Sequence, residues 1–173
     1  MDERLKKIKL LILDVDGVMT DGRIIFDSNG VESKFFNVKD GHGIKMLQRA
    51  GIEVAIISGR QSQVVALRAT ELGIERVFQK AFNKLAPYQQ ILADTGLSDK
   101  EIAFIGDDLI DIPVLRKVGF AAAPADAVAE VIPFVHFVTE KCGGWGAVRE
   151  ISDLLLKAQD KWENLTARYF ESV

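Results

Sequence analysis

Polar side chains follow three short apolar runs of this 173-residue sequence, and a lysine opens a later helical pattern. The side chains are Asp14 and Asp16, Ser58 and Arg60, and Asp107 and Asp108, and the lysine is Lys84. Clustered carboxylates repel one another unless a cation joins them, and oxygen ligands with room for water and phosphate suit Mg²⁺. A lysine and a hydroxyl donate hydrogen bonds to phosphate oxygens. Brought together, these groups predict a magnesium site that holds a phosphoryl group.

The spacing of Asp14 and Asp16 supports this interpretation, because residues two apart in an extended chain point to the same side. Gly17 then allows the backbone to turn sharply. Each residue also has a purely structural explanation. An aspartate after a strand is often a turn former, a serine there is often a helix cap, and a lone lysine is usually solvated. The joint placement of the set after successive strands favours the chemical explanation.

Short apolar runs alternate with amphipathic ones along the chain, which predicts an α/β fold. The predicted strands are Leu10–Leu13, Val54–Ile57, Val77–Phe78, Ile102–Ile105, Phe120–Ala122 and Val135–Val138. The predicted helices are Ile44–Ala50, Gln63–Leu72, Lys84–Thr95 and Ile112–Val118, each ended by a glycine in the left-handed conformation, Gly51, Gly73, Gly96 and Gly119. This order gives a doubly wound, Rossmann-like parallel sheet whose ligands bind beyond the carboxyl ends of the strands.

Two further segments complete the predicted architecture. Arg23–Phe26 and Glu32–Phe36 flank a turn signal at 27–30, so a β-hairpin is predicted within about 22–37. An isolated hairpin is marginal in water, so we expect it to pack on its own domain or on a neighbouring subunit. A last amphipathic helix is predicted over about 146–168, with a frayed tail from Tyr169 onwards. The chain 1–173 is expected to form one domain.

Charge and cysteine content narrow the class of protein. The net charge of -3, from 22 basic and 25 acidic residues, gives no field for nucleic acid or an anionic membrane, so neither partner is expected. Cys142 is the sole cysteine, which excludes a disulfide within the chain and is usual in a reducing compartment. The first residues lack the apolar segment of a signal peptide, and the apolar run after them is too short to span a bilayer. We therefore expect a cytoplasmic protein.

Four motifs together resemble those of the haloacid dehalogenase superfamily. They are Asp14-Val15-Asp16-Gly17-Val18-Met19-Thr20, Ile57-Ser58-Gly59, Lys84, and Gly106-Asp107-Asp108 with Asp111. Two further strings, at 36–41 and 143–150, extend the resemblance to the 3-deoxy-D-manno-octulosonate 8-phosphate phosphatase family, from about Ile8 to about Leu156. That resemblance implies a fold without a cap domain and Mg²⁺ as cofactor. It also implies a homotetramer in which hairpins meet at the centre and a neighbouring subunit covers the pocket.

The resemblance also implies a role for each site residue. Asp14 would attack phosphorus and form an aspartyl-phosphate, while Asp16 would protonate the leaving sugar oxygen and then deprotonate the hydrolytic water. Mg²⁺ would be held by Asp14, the backbone carbonyl of Asp16, and Asp107, with Asp108 and Asp111 in support. Ser58 and Lys84 would bind the phosphoryl oxygens. The implied substrate contacts are Asn37, Val38, Lys39, Asp40, Gly41, Lys45, Arg60 and Arg68.

The implied substrate is 3-deoxy-D-manno-octulosonate 8-phosphate, a sugar acid phosphate of lipopolysaccharide precursor biosynthesis. Lys45 and Trp145 stand where relatives often or sometimes have arginine, which keeps open an alternative, a nine-carbon sugar acid phosphate of the sialic acid or deaminated neuraminate type. A signalling receiver domain carries its phosphorylated aspartate after the third strand, where this chain has Val77-Phe78-Gln79. A non-catalytic interaction domain would have no need of the complete set of catalytic residues.

Overall fold

The computed structural model describes residues 2–170, and its centre is a six-stranded parallel sheet. The strands are β1 (Leu10–Leu13), β2 (Ile25–Phe26), β3 (Glu32–Ser33), β4 (Glu53–Ile57), β5 (Arg76–Phe78), β6 (Ile102–Ile105), β7 (Phe120–Ala123) and β8 (Phe137–Val138). The sheet order is β5-β4-β1-β6-β7-β8, while β2 and β3 form a separate hairpin. The helices are α1 (Val38–Arg49), α2 (Gln63–Leu72), α3 (Leu85–Thr95), α4 (Ile112–Leu115), α5 (Ala147–Ala158) and α6 (Trp162–Thr166).

Both faces of the sheet are covered by helices, which confirms the doubly wound α/β fold. Leu11 and Leu13 of β1 belong to one apolar cluster, together with side chains of α1, α2 and α5. Leu10 and Ile12 belong to the opposite cluster, together with side chains of α3 and α4. All four residues of β1 are completely buried, as expected for the strand between β4 and β6. Position 14 therefore follows the most buried strand and lies at the middle of the sheet edge.

The hairpin forms where it was predicted, between β1 and α1, although its paired strands are short. Ile25 pairs with Ser33 and Phe26 with Glu32. The carboxylate of Asp27 closes the turn by accepting hydrogen bonds from the backbone N–H groups of residues 29 and 31. Several apolar side chains of the hairpin and the segment beside it are exposed, Ile24, Phe26, Val31 and Phe35. Among residues 2–170, no helix is both long and apolar enough to cross a bilayer.

The predicted C-terminal helix over 146–168 is wrong, because the chain forms two helices there. α5 ends at Ala158, and α6 begins only at Trp162. The break is explained by Gln159, whose side-chain amide donates to the carbonyl oxygens of Leu5 and Ile8 at 2.9 and 2.8 Å. Asp160 then adopts φ +55, which a continuous helix does not allow. Of the predicted frayed tail, residues 171–173 lie outside the described part of the chain.

Other helix and strand boundaries differ from the predicted ones by a few residues. α1 begins at Val38 rather than Ile44, because Asn37 caps it by accepting from the backbone N–H of Lys39 at 2.8 Å. α4 ends at Leu115 rather than Val118, and β8 begins at Phe137 because a 3₁₀ turn occupies Ile132–Phe134. Gly119 does not take the predicted left-handed conformation; a side chain there would meet the Lys100 carbonyl oxygen at 2.5 Å.

Candidate active site

The carboxyl edge of the sheet brings Asp14 against a buried lysine. The backbone N–H of Asp14 donates to the Ile105 carbonyl of β6 at 3.0 Å, which fixes the start of the loop. Lys84, immediately before α3, has a side chain with no exposed surface, and its Nζ lies 2.7 Å from Asp14 Oδ1. The same ammonium donates to Asp111 Oδ1 at 2.6 Å. Residues from three separate segments therefore form one buried charge cluster, the floor of the site.

Asp111 organises the loop that follows β6. Its Oδ2 accepts from the backbone N–H groups of Asp107 and Asp108 at 3.0 and 3.2 Å. Asp108 in turn accepts from the Leu109 N–H at 2.7 Å, which caps the short turn Leu109–Asp111. Both oxygens of Asp111 are thus occupied within the protein. This geometry fits a supporting role that holds Asp107 in place.

Burial dominates the ionisation of the floor. It raises the pKa of Asp107 to about 8, and the negative charges of Asp14 and Asp111 act in the same direction. Burial also raises the pKa of Asp14 to about 6, although the ammonium of Lys84 opposes the change. For Lys84, burial disfavours the charged form, but Asp14 and Asp111 outweigh it and raise the pKa of the ammonium. The lysine is therefore a fixed positive charge, whereas the carboxylates lack sufficient positive charge around them.

Asp107 supplies the observation that tests whether a metal ion fits. Its Oδ1 is buried and has no hydrogen-bond partner among the described residues. Oxygen atoms of Asp14, Asp107 and Asp111 all lie within 4.8 Å of one another. Because both Asp111 oxygens already accept hydrogen bonds, Asp14 and Asp107 are the carboxylates available to a cation. An all-oxygen site of this kind suits a hard divalent ion.

Two glycines permit this close assembly. A side chain on Gly17, which has φ +91, would come within 2.1 Å of Asp107 Oδ2. A side chain on Gly143 would come within 1.8 Å of the Gly17 carbonyl oxygen. The neighbouring Gly144 N–H donates to the Val18 carbonyl at 3.0 Å, so the 143–146 segment supports the loop after β1. The glycine-rich string near the C-terminus therefore contributes to the site through its backbone.

Asp16 belongs to a second group of charged side chains, which we call the hairpin wall. Its members are Asp16, Glu32, Lys34 and Arg60. Lys34 Nζ contacts Asp16 Oδ1 and lies 3.5 Å from Glu32 Oε1. Arg60 lies 3.8 Å from Asp16 Oδ2 through Nε and 3.2 Å from Glu32 Oε1 through a terminal nitrogen. Burial opposes ionisation of Glu32, but Ser62, Lys34 and Arg60 together lower its pKa. The wall contains two cations and two anions.

A cavity of about 260 Å³ lies between the floor and the hairpin wall. It is lined by Asp14, Asp16, Ser58, Gly59, Arg60, Phe82, Lys84, Asp107, Asp108 and Ile110. Ser58 follows β4, and its hydroxyl oxygen accepts from the backbone N–H of Arg60 at 3.4 Å. The structure therefore brings together Asp14, Asp16, Ser58, Lys84, Asp107, Asp108 and Arg60, with Asp111 directly behind them.

The other predicted substrate contacts do not line this cavity. Asn37 caps α1 and donates to the Gly144 carbonyl at 3.3 Å, while Val38 and Lys39 are exposed. Asp40 Oδ1 accepts from the Arg149 N–H at 2.7 Å at the start of α5, and burial raises the pKa of Asp40 to about 6.

Three more of the predicted substrate contacts, Lys45, Arg68 and Gly41, also lie away from the cavity. Lys45 donates to the Leu72 carbonyl at 2.6 Å, at the end of α2. Arg68 pairs with Glu71 at 2.7 Å and lies over the Phe36 ring, against Gly41. A role in substrate binding for these residues stays a prediction.

The sequence interpretation missed Lys34, Glu32, Phe82 and Ile110. Glu32 and Lys34 are two apart on the hairpin, a spacing that puts them on one side of an extended chain. That spacing was the available signal, but it could not tell which side faces the sheet edge. Phe82 lies in a loop and Ile110 in the short turn Leu109–Asp111, and nothing in their spacing marks them as cavity residues.

Comparisons with known proteins agree with the geometry. The model of the haloacid dehalogenase-like hydrolase family matches residues 38–119. The chain is 48% identical over 164 residues to the 3-deoxy-D-manno-octulosonate 8-phosphate phosphatase of Yersinia pestis, covering 95% of this chain and 88% of that protein. The crystal structure of the Yersinia pestis enzyme superposes with a TM-score of 0.92, at 48% identity, covering 93% of this chain and 87% of that one.

A second solved relative was crystallised with ligands. The 3-deoxy-D-manno-octulosonate 8-phosphate phosphatase of Moraxella catarrhalis, in complex with magnesium ion, phosphate ion and KDO, matches with a TM-score of 0.94 and 40% identity, covering 96% of both chains. Similarity of this extent over nearly the whole length shows the family. The chain therefore belongs to the haloacid dehalogenase-like hydrolases and, within them, to the phosphoric monoester hydrolases of the 3-deoxy-D-manno-octulosonate 8-phosphate phosphatase family.

Proposed function

We propose that this protein hydrolyses 3-deoxy-D-manno-octulosonate 8-phosphate to the free sugar acid and phosphate, with Mg²⁺ as cofactor, as a step in lipopolysaccharide precursor biosynthesis. The observation that carries the proposal is the pairing of Asp14 with the buried Lys84, beside an Asp107 oxygen that has no hydrogen-bond partner within residues 2–170. The 48% identity to the Yersinia pestis enzyme and the ligands of the Moraxella catarrhalis enzyme support the choice of substrate and metal.

In the proposed reaction, a carboxylate oxygen of Asp14 forms a bond to phosphorus while the bond from phosphorus to the sugar oxygen breaks. Asp16 donates a proton to that leaving oxygen, and an aspartyl-phosphate on Asp14 remains. Asp16 then accepts a proton from water as the water oxygen attacks phosphorus, which releases phosphate and restores Asp14. Lys84, which holds Asp14 Oδ1 at 2.7 Å, orients the nucleophile and offers positive charge to the phosphoryl oxygens.

Asp14, Asp107 and the backbone carbonyl of Asp16 would hold Mg²⁺, with Asp108 and Asp111 fixing the loop. When bound, the ion supplies positive charge that offsets the carboxylates and the phosphoryl group. The hydroxyl of Ser58 is placed to donate to a phosphoryl oxygen, since Ser58 lines the cavity together with Lys84. Arg60 offers a guanidinium to the sugar acid from the cavity mouth.

We also propose that the active form is a homotetramer assembled through the hairpins. Phe26 and Phe35 are 56% and 65% exposed, which is unfavourable for two aromatic side chains in water. A neighbouring subunit at this place would cover the cavity mouth and bring the outlying residues, Asn37–Gly41, Lys45 and Arg68, within reach of a substrate. Light scattering tests this: Phe26→Ser with Phe35→Ser should dissociate the assembly, whereas Phe134→Ser at the far end of the sheet should not. A double variant that remains tetrameric would contradict the hairpin interface.

The substrate is tested by kinetics on purified enzyme with Mg²⁺. We expect kcat/KM for 3-deoxy-D-manno-octulosonate 8-phosphate to exceed that for a nine-carbon sugar acid 9-phosphate. Activity should disappear with a chelator and return with added Mg²⁺. A clear preference for the nine-carbon ester would reject the proposed substrate while keeping the proposed chemistry.

A further inference from the structure

The segment that follows β7, residues 124–128, lies beside the active site without lining its cavity. Asp126 of this segment accepts a hydrogen bond from the backbone N–H of Gly143 at 2.9 Å through Oδ1. None of the sequence motifs of the site includes this aspartate. We propose that Asp126 is a positioning residue for the metal site, which it holds together through the backbone of residues 143 and 144; this rests on the magnesium site of the proposed function.

Asp126 acts first on the loop after β1, which carries the proposed nucleophile. The N–H group that it binds belongs to a segment packed directly on that loop. A side chain on Gly143 would come within 1.8 Å of the Gly17 carbonyl oxygen, so the two backbones are in contact. The Gly144 N–H donates to the Val18 carbonyl at 3.0 Å. Asp126 therefore helps to fix the outer side of the loop whose residues would bind the metal.

The same segment also holds the loop after β6. The backbone N–H of Val128, two residues beyond Asp126, donates to the carbonyl oxygen of Asp107 at 3.0 Å. The two loops then meet directly, because a side chain on Gly17 would come within 2.1 Å of Asp107 Oδ2. These contacts form a closed ring that runs from Gly17 through Gly143, Asp126, Val128 and Asp107 back to Gly17.

The ring matters for metal binding because it joins the two loops that carry the carboxylates available to a cation, Asp14 and Asp107. Mg²⁺ requires near-ideal octahedral geometry with short bonds to oxygen, so even a small widening between the loops should lower its affinity. Val128, Gly143 and Gly144 contribute to the ring through their backbone. Asp126 contributes through its side chain, so a substitution there opens the ring without changing a metal ligand.

The proposal is tested by isothermal titration calorimetry of Mg²⁺ into the metal-free protein, for wild type, Asp126→Ala and Asp126→Asn. Asp126→Ala removes the acceptor, and the Kd for Mg²⁺ should rise by about 3–30-fold, the effect of losing one charge-assisted hydrogen bond. Asp126→Asn keeps an acceptor oxygen, and its Kd should stay close to that of wild type. With saturating Mg²⁺, kcat should stay close to the wild-type value in both variants.

Two other roles for Asp126 would give different results. If its negative charge alone attracted Mg²⁺, Asp126→Asn would weaken binding as much as Asp126→Ala, which would overturn the proposal. If it only stabilised the fold, Asp126→Ala would lower Tm and leave the Kd unchanged, which would overturn it as well. Glu130→Ala is the matched control, because it removes the charge of an exposed acid nearby and should keep the wild-type Kd. If Asp126→Ala fails to fold by circular dichroism, Asp126→Leu replaces it under the same criteria.

The wild-type titration separates this proposal from the proposed function. Metal-free wild type that does not bind Mg²⁺ would reject the magnesium site and the inference with it. Wild type that binds Mg²⁺ with an affinity that Asp126→Ala retains would overturn only the positioning role of Asp126 and leave the proposed function in place.

Discussion

The two sides of the active-site cavity are built differently. The floor, Asp14, Lys84, Asp107 and Asp111, consists of groups that follow the buried strands β1 and β6 or directly precede α3. Asp14, Lys84 and Asp111 are buried and Asp107 is half-buried. The hairpin wall takes Glu32 and Lys34 from the hairpin outside the sheet and Asp16 and Arg60 from the loops after β1 and β4, and its Arg60 side chain is 43% exposed. Because the floor is fixed by the sheet and the wall depends on the position of the hairpin, substitutions on the two sides should have different effects.

The strongest test of this comparison removes the nucleophile from the floor. Asp14→Asn keeps the size and shape of the side chain but abolishes its nucleophilicity, so kcat should fall by about 10⁴-fold or more for every phosphate ester. Steady-state kinetics with a sugar phosphate and with p-nitrophenyl phosphate measure the loss. Asp94→Asn, at an exposed aspartate of α3, should leave kcat unchanged. Near-wild-type turnover in Asp14→Asn would reject the mechanism.

Asp16 is the wall residue next to the floor. The fall in kcat that follows its replacement should depend on the leaving group of the ester. Asp16→Asn should lower kcat for a sugar phosphate by about 10²–10⁴-fold, the usual contribution of a general acid–base residue. With p-nitrophenyl phosphate, whose leaving group departs without a proton, we expect a much smaller loss. Equal losses for the two esters would mean that Asp16 is not the proton donor.

The floor also predicts how metal binding depends on pH. Because the pKa of Asp107 is raised to about 8 without metal, a proton must leave before this carboxylate can bind a cation. The affinity for Mg²⁺ should therefore fall about tenfold for each pH unit from pH 8 to pH 6, and more steeply below pH 6, where Asp14 also takes up a proton. Isothermal titration calorimetry of the metal-free protein measures this without using activity. An affinity that is constant between pH 6 and pH 8 would contradict the electrostatics of the floor.

The smallest expected effect concerns the stability of the metal-free protein. The pKa of Asp107 is about 8 in the folded state, against an ordinary value of 3.8. Between these two pH values the folded state therefore holds a proton that the unfolded state has lost. Stability should decrease as pH rises through that window. Asp107→Asn removes the charge and should raise Tm at pH 8, by roughly 2–4 °C for each kcal/mol relieved. Thermal unfolding at pH 5 and pH 8 measures it; a lower Tm for the variant at pH 8 would contradict this account.

Much of the floor could be predicted from the sequence, because polar residues after apolar strands must meet at one edge of a parallel sheet. Asp14, Asp107 and Lys84 follow from that rule together with the order of the elements. The start of α1 did not follow, because Gly41 and Gly43 are poor helix formers. The structure explains Gly43 by close packing, since a side chain there would meet Ser152 Oγ of α5 at 2.9 Å.

The wall could not be predicted in the same way. A hairpin was indicated by its turn residues, but the face that Lys34 presents depends on how the hairpin folds back over the sheet edge. The break between α5 and α6 has a similar origin, because it depends on Gln159 reaching the carbonyl groups of Leu5 and Ile8. Both features are set by contacts between distant parts of the chain, which local patterns do not record.

The central claim is that Asp14 carries the phosphoryl group during turnover. Rapid acid quench of the enzyme with Mg²⁺ and substrate, followed by peptide mass spectrometry, tests it directly. The account predicts a phosphoryl adduct on the peptide that contains Asp14, formed within a single turnover and absent from Asp14→Asn. An adduct on another residue, or turnover without any adduct during the steady state, would contradict the account.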